Sequence, residues 1–513
     1  MAKFCTPLLL LITVWTTWAA AENPNGGGLL SCLQAGGIKN VTAVSSANFD
    51  SLLDFSAQNL RFIEPQVSKP YAIIIPASKS QLQQSVVCTI ENGWEVRVRS
   101  GGHSYEGLSY TSEVPFVLID LAMLNKITVD TTSKTAWVEA GATLGEIYSA
   151  VASSSPNLAF SAGICPTIGS GGHISGGGQS FMFRKYGLAA DNTLNALLIN
   201  ASGKIMDKNT MGEDVFWAVR GGGGGSWGVV FAWKIGLVSV PSVVTTFNVQ
   251  RYGRDNVTDL VHRWQYLAPK MDEDITMRVQ LMGINVNDTK VIRALFHGLY
   301  LGQKEELVAT VGKVFPELGM AANETHEMSW VEGIAYFNSD LENISDRYYP
   351  SKSFFKIKSD FAKSPISKSG ISGLLDILDE EVTSFANLNP HGGKMDEIPS
   401  SAIPFPHRAG TLFGLQYMVT WTNKSQDDYY LEWMRKLYKY MEPHVSHSPR
   451  SAYVNYLDLD LGSAFNGSAS VEEARAWGER YFHGNFDRLV KAKTQVDPLN
   501  FFRNSQSIPP LGN

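Results

Sequence analysis

In Val98-Arg99-Ser100-Gly101-Gly102-His103-Ser104-Tyr105-Glu106-Gly107, a strand runs straight into paired glycines and a histidine. The residues leading into it, Glu95-Val96-Arg97-Val98-Arg99, alternate polar and apolar, the pattern of a half-buried strand. Two more glycine clusters follow. One is Gly169-Ser170-Gly171-Gly172-His173-Ile174-Ser175-Gly176-Gly177-Gly178, and the other is Arg220 followed by Gly221 to Gly225. Backbone N–H groups free of side-chain crowding form concave nests for phosphate oxygens, and a dinucleotide needs several such surfaces.

The third cluster also holds two misleading strings. Gly223-x-Gly225-x-x-Gly228 has the spacing of the nucleotide-binding Rossmann fingerprint, and Gly224-x-Ser226-x-Gly228 that of a nucleophile elbow. Both devices need a strand in front, and Glu213 to Arg220 reads as a helix. The first also lacks the acidic residue about 20 positions on. No HExxH or phosphate-loop string occurs, so no metal site is expected.

Outward from the clusters, Tyr71 to Pro76, Phe116 to Asp120, Thr135 to Glu139, Asn195 to Asp207 and Gly228 to Leu237 read as strands. Lys79 to Asn92 has helical spacing, and Thr143 caps a helix from Leu144 to Val151. From 243 to 450 the texture changes. Strands at Ile275 to Met282 and Leu412 to Trp421 interleave with amphipathic helices at Asn256 to Ala268, Lys304 to Phe315 and Asp427 to Tyr440. The pattern predicts an antiparallel sheet backed by helices. The expected fold is α+β with two domains, 22–240 and 241–450. Residues 451–513, with a helix at Val471 to Tyr481, complete the first.

The chain has 513 residues, 44% hydrophobic and 18% charged, enough to bury a sizeable core. Forty-three basic against forty-nine acidic side chains give −6 without a basic block. That argues against nucleic acid and for an uncharged or weakly charged small molecule. Lys3, the apolar run Leu8 to Trp15 and Ala19-Ala20-Ala21 form a secretory signal peptide over 1–21. The run is too short to span a bilayer, so secretion without stable membrane association is expected. Sequons at Asn40, Asn200, Asn256, Asn287, Asn323, Asn343, Asn423 and Asn466 agree with a glycoprotein. Once Cys5 leaves with the leader, Cys32, Cys88 and Cys165 remain. A Cys32–Cys88 disulfide is the simplest pairing, and it leaves Cys165 beside the second glycine cluster.

The stretch from Val98 to Gly107 resembles the plant berberine bridge enzyme-like family. So do Gly163-Ile164-Cys165-Pro166-Thr167, Tyr186-Gly187-Leu188-Ala189-Ala190-Asp191-Asn192, Tyr453-Val454-Asn455-Tyr456-Leu457-Asp458-Leu459-Asp460 and Asp497-Pro498-x-Asn500-Phe501-Phe502. The resemblance implies a vanillyl-alcohol-oxidase (PCMH-type) FAD domain, a substrate domain above the flavin ring and a C-terminal berberine-bridge segment. It also implies FAD joined to His103 at its 8α-methyl carbon and to Cys165 at C6. Arg99, Ser100, Gly101, Gly102, Ser104, Gly169, Gly171, Gly172, Gly176 and Asn455 are the expected flavin contacts. His173 matches no attachment position and reads as structural or phosphate-side.

On the substrate side the resemblance places Tyr105, Gln179, Gln280, Asn389, Gln416, Tyr417, Tyr453 and Tyr456, and Arg278 falls on the same strand face as Gln280. Several depart from the family's patterns. The common plant pattern has tyrosine at Gln179 and lysine at Gly414. Cannabinoid-synthase relatives carry glutamate at Gly414, tyrosine at Asn389 and histidine at Gln280, and berberine bridge enzyme has a glutamate base at Gln416. A neutral amide cannot accept a proton as a carboxylate does. Tyr456, with Tyr105, is then the best remaining base or proton donor. Arg278 and Arg408 are candidates to orient a phenolate or carboxyl group, although an ion-paired role is the commoner one for arginine. Ile168, three residues after Cys165, stands where the family gates dioxygen.

The expected function is a secreted oxidase of a phenolic or prenylated phenolic metabolite, located in the apoplast, cell wall or vacuole and reoxidised by dioxygen. The alternative is a pericyclase that keeps FAD as a scaffold and catalyses an intermolecular Diels–Alder cycloaddition without net redox.

Overall fold

The computed structural model describes residues 24–338 and 343–512. The expected signal peptide at 1–21 lies outside the described residues. A four-stranded sheet packs Glu95–Arg99 and Ala72–Ile74 in parallel against Phe116–Asp120, with Val41–Ala43 antiparallel at its edge. A five-stranded antiparallel sheet follows, built on Thr135–Glu139, Val229–Gly236 and Thr193–Ile199. One apolar core runs through both sheets and takes in the C-terminal residues Ala452 to Ile508, including Trp477, Tyr481, Leu489 and Phe502.

The second layer is a seven-stranded antiparallel sheet. Across it run Ile275–Val286, Ser384–Pro390, Phe413–Trp421 and Phe354–Ala362 in neighbouring positions. Its strands obey period two. Met277, Val279, Leu281, Ala386, Leu388, Leu415 and Val419 point into a second core, closed by the helices Arg254–Leu267, Lys368–Glu380 and Asp427–Met441. The opposite face carries polar side chains toward the first unit.

Most local readings hold to within a residue or two, and Thr143 makes a full capping box with Glu146. The segment expected as one strand from Asn195 divides into Thr193–Ile199 and Ile205–Met206 around a turn with Gly203 at φ +72°. A larger correction concerns Glu95–Arg99, which is buried on both faces. Its charged face is covered by chain from either end of the sequence. Arg97 pairs with Glu95 at 2.6 Å and donates to the Arg503 and Thr111 carbonyls. Burial of such charges is tolerated only with full pairing.

Cys32 and Cys88 form a disulfide between the helices Gly26–Ala35 and Lys79–Glu91. Asn40, Asn256, Asn287, Asn323, Asn343 and Asn423 are exposed, while Asn200 and Asn466 are half-buried. No helix among the described residues is long and apolar enough to cross a membrane.

Candidate active site

A cavity of about 780 Å³ lies between the two units. One wall is backbone. Gly101, Gly102, Gly169, Gly171, Gly172 and Gly222 to Gly225 line it, with Ser100 and Ser104. A Cβ on Gly101 would stand 2.1 Å from the Gly169 nitrogen, so these two loops touch only because both residues lack a side chain. Ser100 ties the clusters together: its Oγ donates to the Ala140 carbonyl at 2.6 Å and accepts from the Gly171 N–H at 3.3 Å. The third cluster follows the helix Glu213–Val219 and precedes the strand Val229–Gly236. That order is the reverse of a Rossmann turn, yet the cluster lines the same cavity as the others.

His103 and Cys165 both open on this cavity. Burial pushes the His103 imidazole down to about 4, with Thr167 opposing. The Thr167 hydroxyl meets Nε2 at 2.9 Å. Burial raises the Cys165 thiol, and the Arg278 charge pulls it the other way. His173, read from sequence as structural, also faces the cavity. Its Nε2 accepts from the Gly163 N–H at 3.0 Å, and burial lowers it to about 4. A neutral ring with Nε2 as acceptor carries its proton on Nδ1. Nothing in the sequence separated this histidine from its glycine neighbours.

The other wall is side chain. Arg278 and Gln280, then Asn387 and Asn389, then Gln416, Met418 and Thr420 project from three adjacent strands. Asn387 escaped the sequence reading, although period two from Asn389 would have found it. A ladder of amides crosses this face. Gln280 donates to Asn387 at 3.2 Å, Asn387 to Gln416 at 3.0 Å, and Gln416 to the Tyr105 hydroxyl at 3.1 Å. Tyr105 therefore accepts at the end of the ladder and keeps its own O–H to donate.

The Tyr105 and Tyr456 rings stack with centroids 5.5 Å apart, and Tyr453 meets Tyr456 edge-on at 4.9 Å. Burial raises all three phenols. Raised phenols hold their protons, which favours the proton-donor half of the expectation for Tyr456 over the base half. Asn455 reaches the His173 carbonyl and the Tyr453 hydroxyl, at 3.0 and 3.1 Å.

Behind Tyr105 and Tyr456 lies a buried ionic network. Lys356 contacts Glu106 and reaches Asp458 at 2.8 Å; Lys358 reaches Asp458 and Asp460 at 2.7 Å. Burial works against the Lys356 charge, but Glu106, Asp458 and Asp460 outweigh it and hold the ammonium above the usual lysine range. The network joins the residues next to both tyrosines to the strand Phe354–Ala362.

Four expected site residues lie elsewhere. Arg99 does not line the cavity; it pairs with Asp120 at 2.6 Å and donates to the Leu52 and Leu53 carbonyls, pinning the strand end. Gly176 packs on Asn455, whose Oδ1 would be 2.0 Å from an added Cβ. Tyr417 has the wrong parity on its strand: one residue past Gln416, it points into the second core and donates to Asp360 at 3.1 Å. Arg408 is ion-paired with Asp191 at 2.7 Å. Gln179, Gln280, Asn389 and Ile168 line the cavity, and His391 and His407 are buried outside it among aromatic rings.

Family models match at both ends of the fold, one described as an FAD binding domain over residues 70–208 and one as berberine and berberine like over 452–509. The berberine bridge enzyme-like D-2 protein of Nicotiana tabacum is 49% identical over 489 residues, 90% of this chain and 86% of that one. The chain belongs to the berberine bridge enzyme-like family. A reticuline oxidase of Papaver somniferum is 46% identical over 98% of this chain and 96% of its own. The structure of berberine bridge enzyme from Eschscholzia californica matches with a TM-score of 0.91 at 46% identity, covering 94% of this chain and 99% of that one. As a berberine bridge enzyme-like protein, the chain is an FAD-dependent oxidoreductase. Its cavity suits FAD on physical grounds. Backbone nests from three clusters face it, and among the described residues no aspartate or glutamate lines it to repel a pyrophosphate.

Proposed function

We propose that this chain is a secreted oxidase that carries FAD through two covalent bonds, one to His103 and one to Cys165, and acts on a phenolic or prenylated phenolic metabolite. The observation that carries the reading is the presence of an imidazole and a thiol on the same glycine-lined cavity. Imidazole held neutral keeps a ring lone pair at neutral pH, and Arg278 partly offsets the burial that raises the Cys165 thiol. Bound FAD supplies the hydride acceptor that dioxygen regenerates.

The residues do the rest. The amide wall fixes the Tyr105 hydroxyl, Tyr456 stacks beside it, and both hold protons for donation at the substrate. Gln179, Gln280, Asn389 and Gln416 bound the substrate space, and Ile168 narrows the approach of dioxygen. The relative named reticuline oxidase supports a small aromatic substrate. Acid precipitation tests the attachment: the yellow colour stays with the protein, and peptide mass mapping finds both side chains modified. Colour released to the supernatant overturns it.

Among the described residues no carboxylate lines the cavity, which favours one second reading. With both tyrosines held protonated, none of these lining residues is a carboxylate base. A redox-neutral Diels–Alder cycloaddition needs none. Anaerobic mixing with a panel of plant phenolics separates the two, by flavin bleaching for the oxidase or by product formed over an unbleached flavin for the pericyclase.

A further inference from the structure

Three arginines line the cavity, and two of them are spoken for. Arg97 and Arg503 share Glu95, at 2.6 and 3.2 Å. Arg278 is different. Its Nε donates to the Asn389 amide oxygen at 2.6 Å, and its guanidinium lies 5.1 Å from the centre of the Phe181 ring. These contacts fix the plane of the group. Among the described residues the two terminal nitrogens have no hydrogen-bond partner, and no acidic side chain pairs with it.

Every neighbour that faces Arg278 is neutral in its ordinary state. Across the strand pair stands His297, pushed down to about 3 by burial and by Arg278 itself. Asn389 is an amide. The titratable groups that sense Arg278 are Tyr456, Cys165 and Tyr105, all raised by burial. Arg278 is half-buried and opens on the cavity. A cation drawn partly out of water without a counter-ion is costly unless something else supplies the charge. The cofactor's phosphates are served on the opposite wall, by the glycine clusters. The missing anion belongs on the substrate side.

We propose that Arg278 receives an anionic oxygen of the substrate, a carboxylate or a phenolate, and is the residue that selects for it. This rests on reading the cavity as the substrate site and adds a charge to the substrate class. The planar fork presents two parallel N–H donors, the geometry that matches a carboxylate and also grips a single phenolate oxygen.

Calorimetric titration of the holoprotein tests the proposal, because heat of binding needs no turnover. The probes are 4-hydroxybenzoate against its neutral isostere 4-hydroxybenzamide, and 4-nitrophenol on either side of its ionisation. The expected result is ten- to a hundredfold tighter binding of an anionic form, the range for a hydrogen bond to a charged group. Preference for the benzoate assigns a carboxylate, and preference for the nitrophenolate alone assigns a phenolate. Arg278→Gln removes the preference, and Arg278→Lys restores part of it. Equal binding of charged and neutral probes in the unaltered protein overturns the proposal, whatever the variants do, as does a preference that survives Arg278→Gln. An arginine serving only the cofactor gives that equal binding. Failure of the oxidase reading shows separately, as a flavin that no substrate bleaches while the heats persist.

Discussion

The two walls of the cavity are made by opposite means. On the flavin side, function comes from missing side chains: glycines at 101, 169 and 171 let two loops meet around the cavity. On the substrate side, function comes from side chains projected at period two from a rigid sheet, each braced by its neighbour. Where the first wall's loops touch, as at Gly101 and Gly169, it tolerates little change because backbone cannot step aside. The second can be rewritten one residue at a time while its strands stay in register. A family sharing the first wall is therefore free to differ at the second.

Breaking the flavin wall should give the largest effect. In the double variant His103→Ala, Cys165→Ala, acid precipitation should release essentially all the colour, whereas either single variant should retain it. Next comes the scaffold behind the tyrosines. Lys356→Met leaves Glu106 and Asp458 facing each other in a buried site, at a cost of about 3–5 kcal/mol, read as a lowered melting temperature.

Acid should weaken the flavin wall through His173. Its folded pKa of about 4 lies below the ordinary 6.5, so its contribution is fully present above pH 6.5 and is lost as pH falls toward 4. The full loss is up to about 3 kcal/mol at 1.36 kcal/mol per unit. A melting temperature independent of pH from 7 to 4 would contradict it. Gly169→Ala should cost about 1–3 kcal/mol or more, because its Cβ would meet the Gly101 nitrogen at 2.2 Å. Gly172→Ala, with nothing within 4 Å, should keep its melting temperature. The smallest effect belongs to the substrate wall. Gln280→Leu removes one rung of the ladder for about 1 kcal/mol, with turnover falling more than flavin content.

The asymmetry also explains what the sequence made legible. Glycine clusters are local signals, so most of the flavin wall could be read directly, and the fold followed from strands whose apolar alternation is equally local. Gly222 to Gly225 were legible as a third nest, and only the two motif strings spelled across them were misleading. The substrate wall depends on strand parity across distant segments. Tyr417 was misplaced by a single residue, and Asn387 was overlooked for the same reason. The burial of Glu95–Arg99 depends on contacts with Leu52, Thr111 and Arg503, which no window around residue 97 contains. A chain of −6 pointed to an uncharged or weakly charged ligand, and the local charge of Arg278 on the cavity wall is invisible in that sum.

The cavity wall draws on residues from Gln58 to Ile508, and Tyr453, Asn455 and Tyr456 close it from the C-terminal side. During synthesis the glycine loops emerge from the ribosome hundreds of residues before those tyrosines do. The pocket thus stays open until translation has passed residue 508. Closing the cavity therefore depends on the part of the chain made last, and termination before residue 453 removes Tyr453, Asn455 and Tyr456 from its wall.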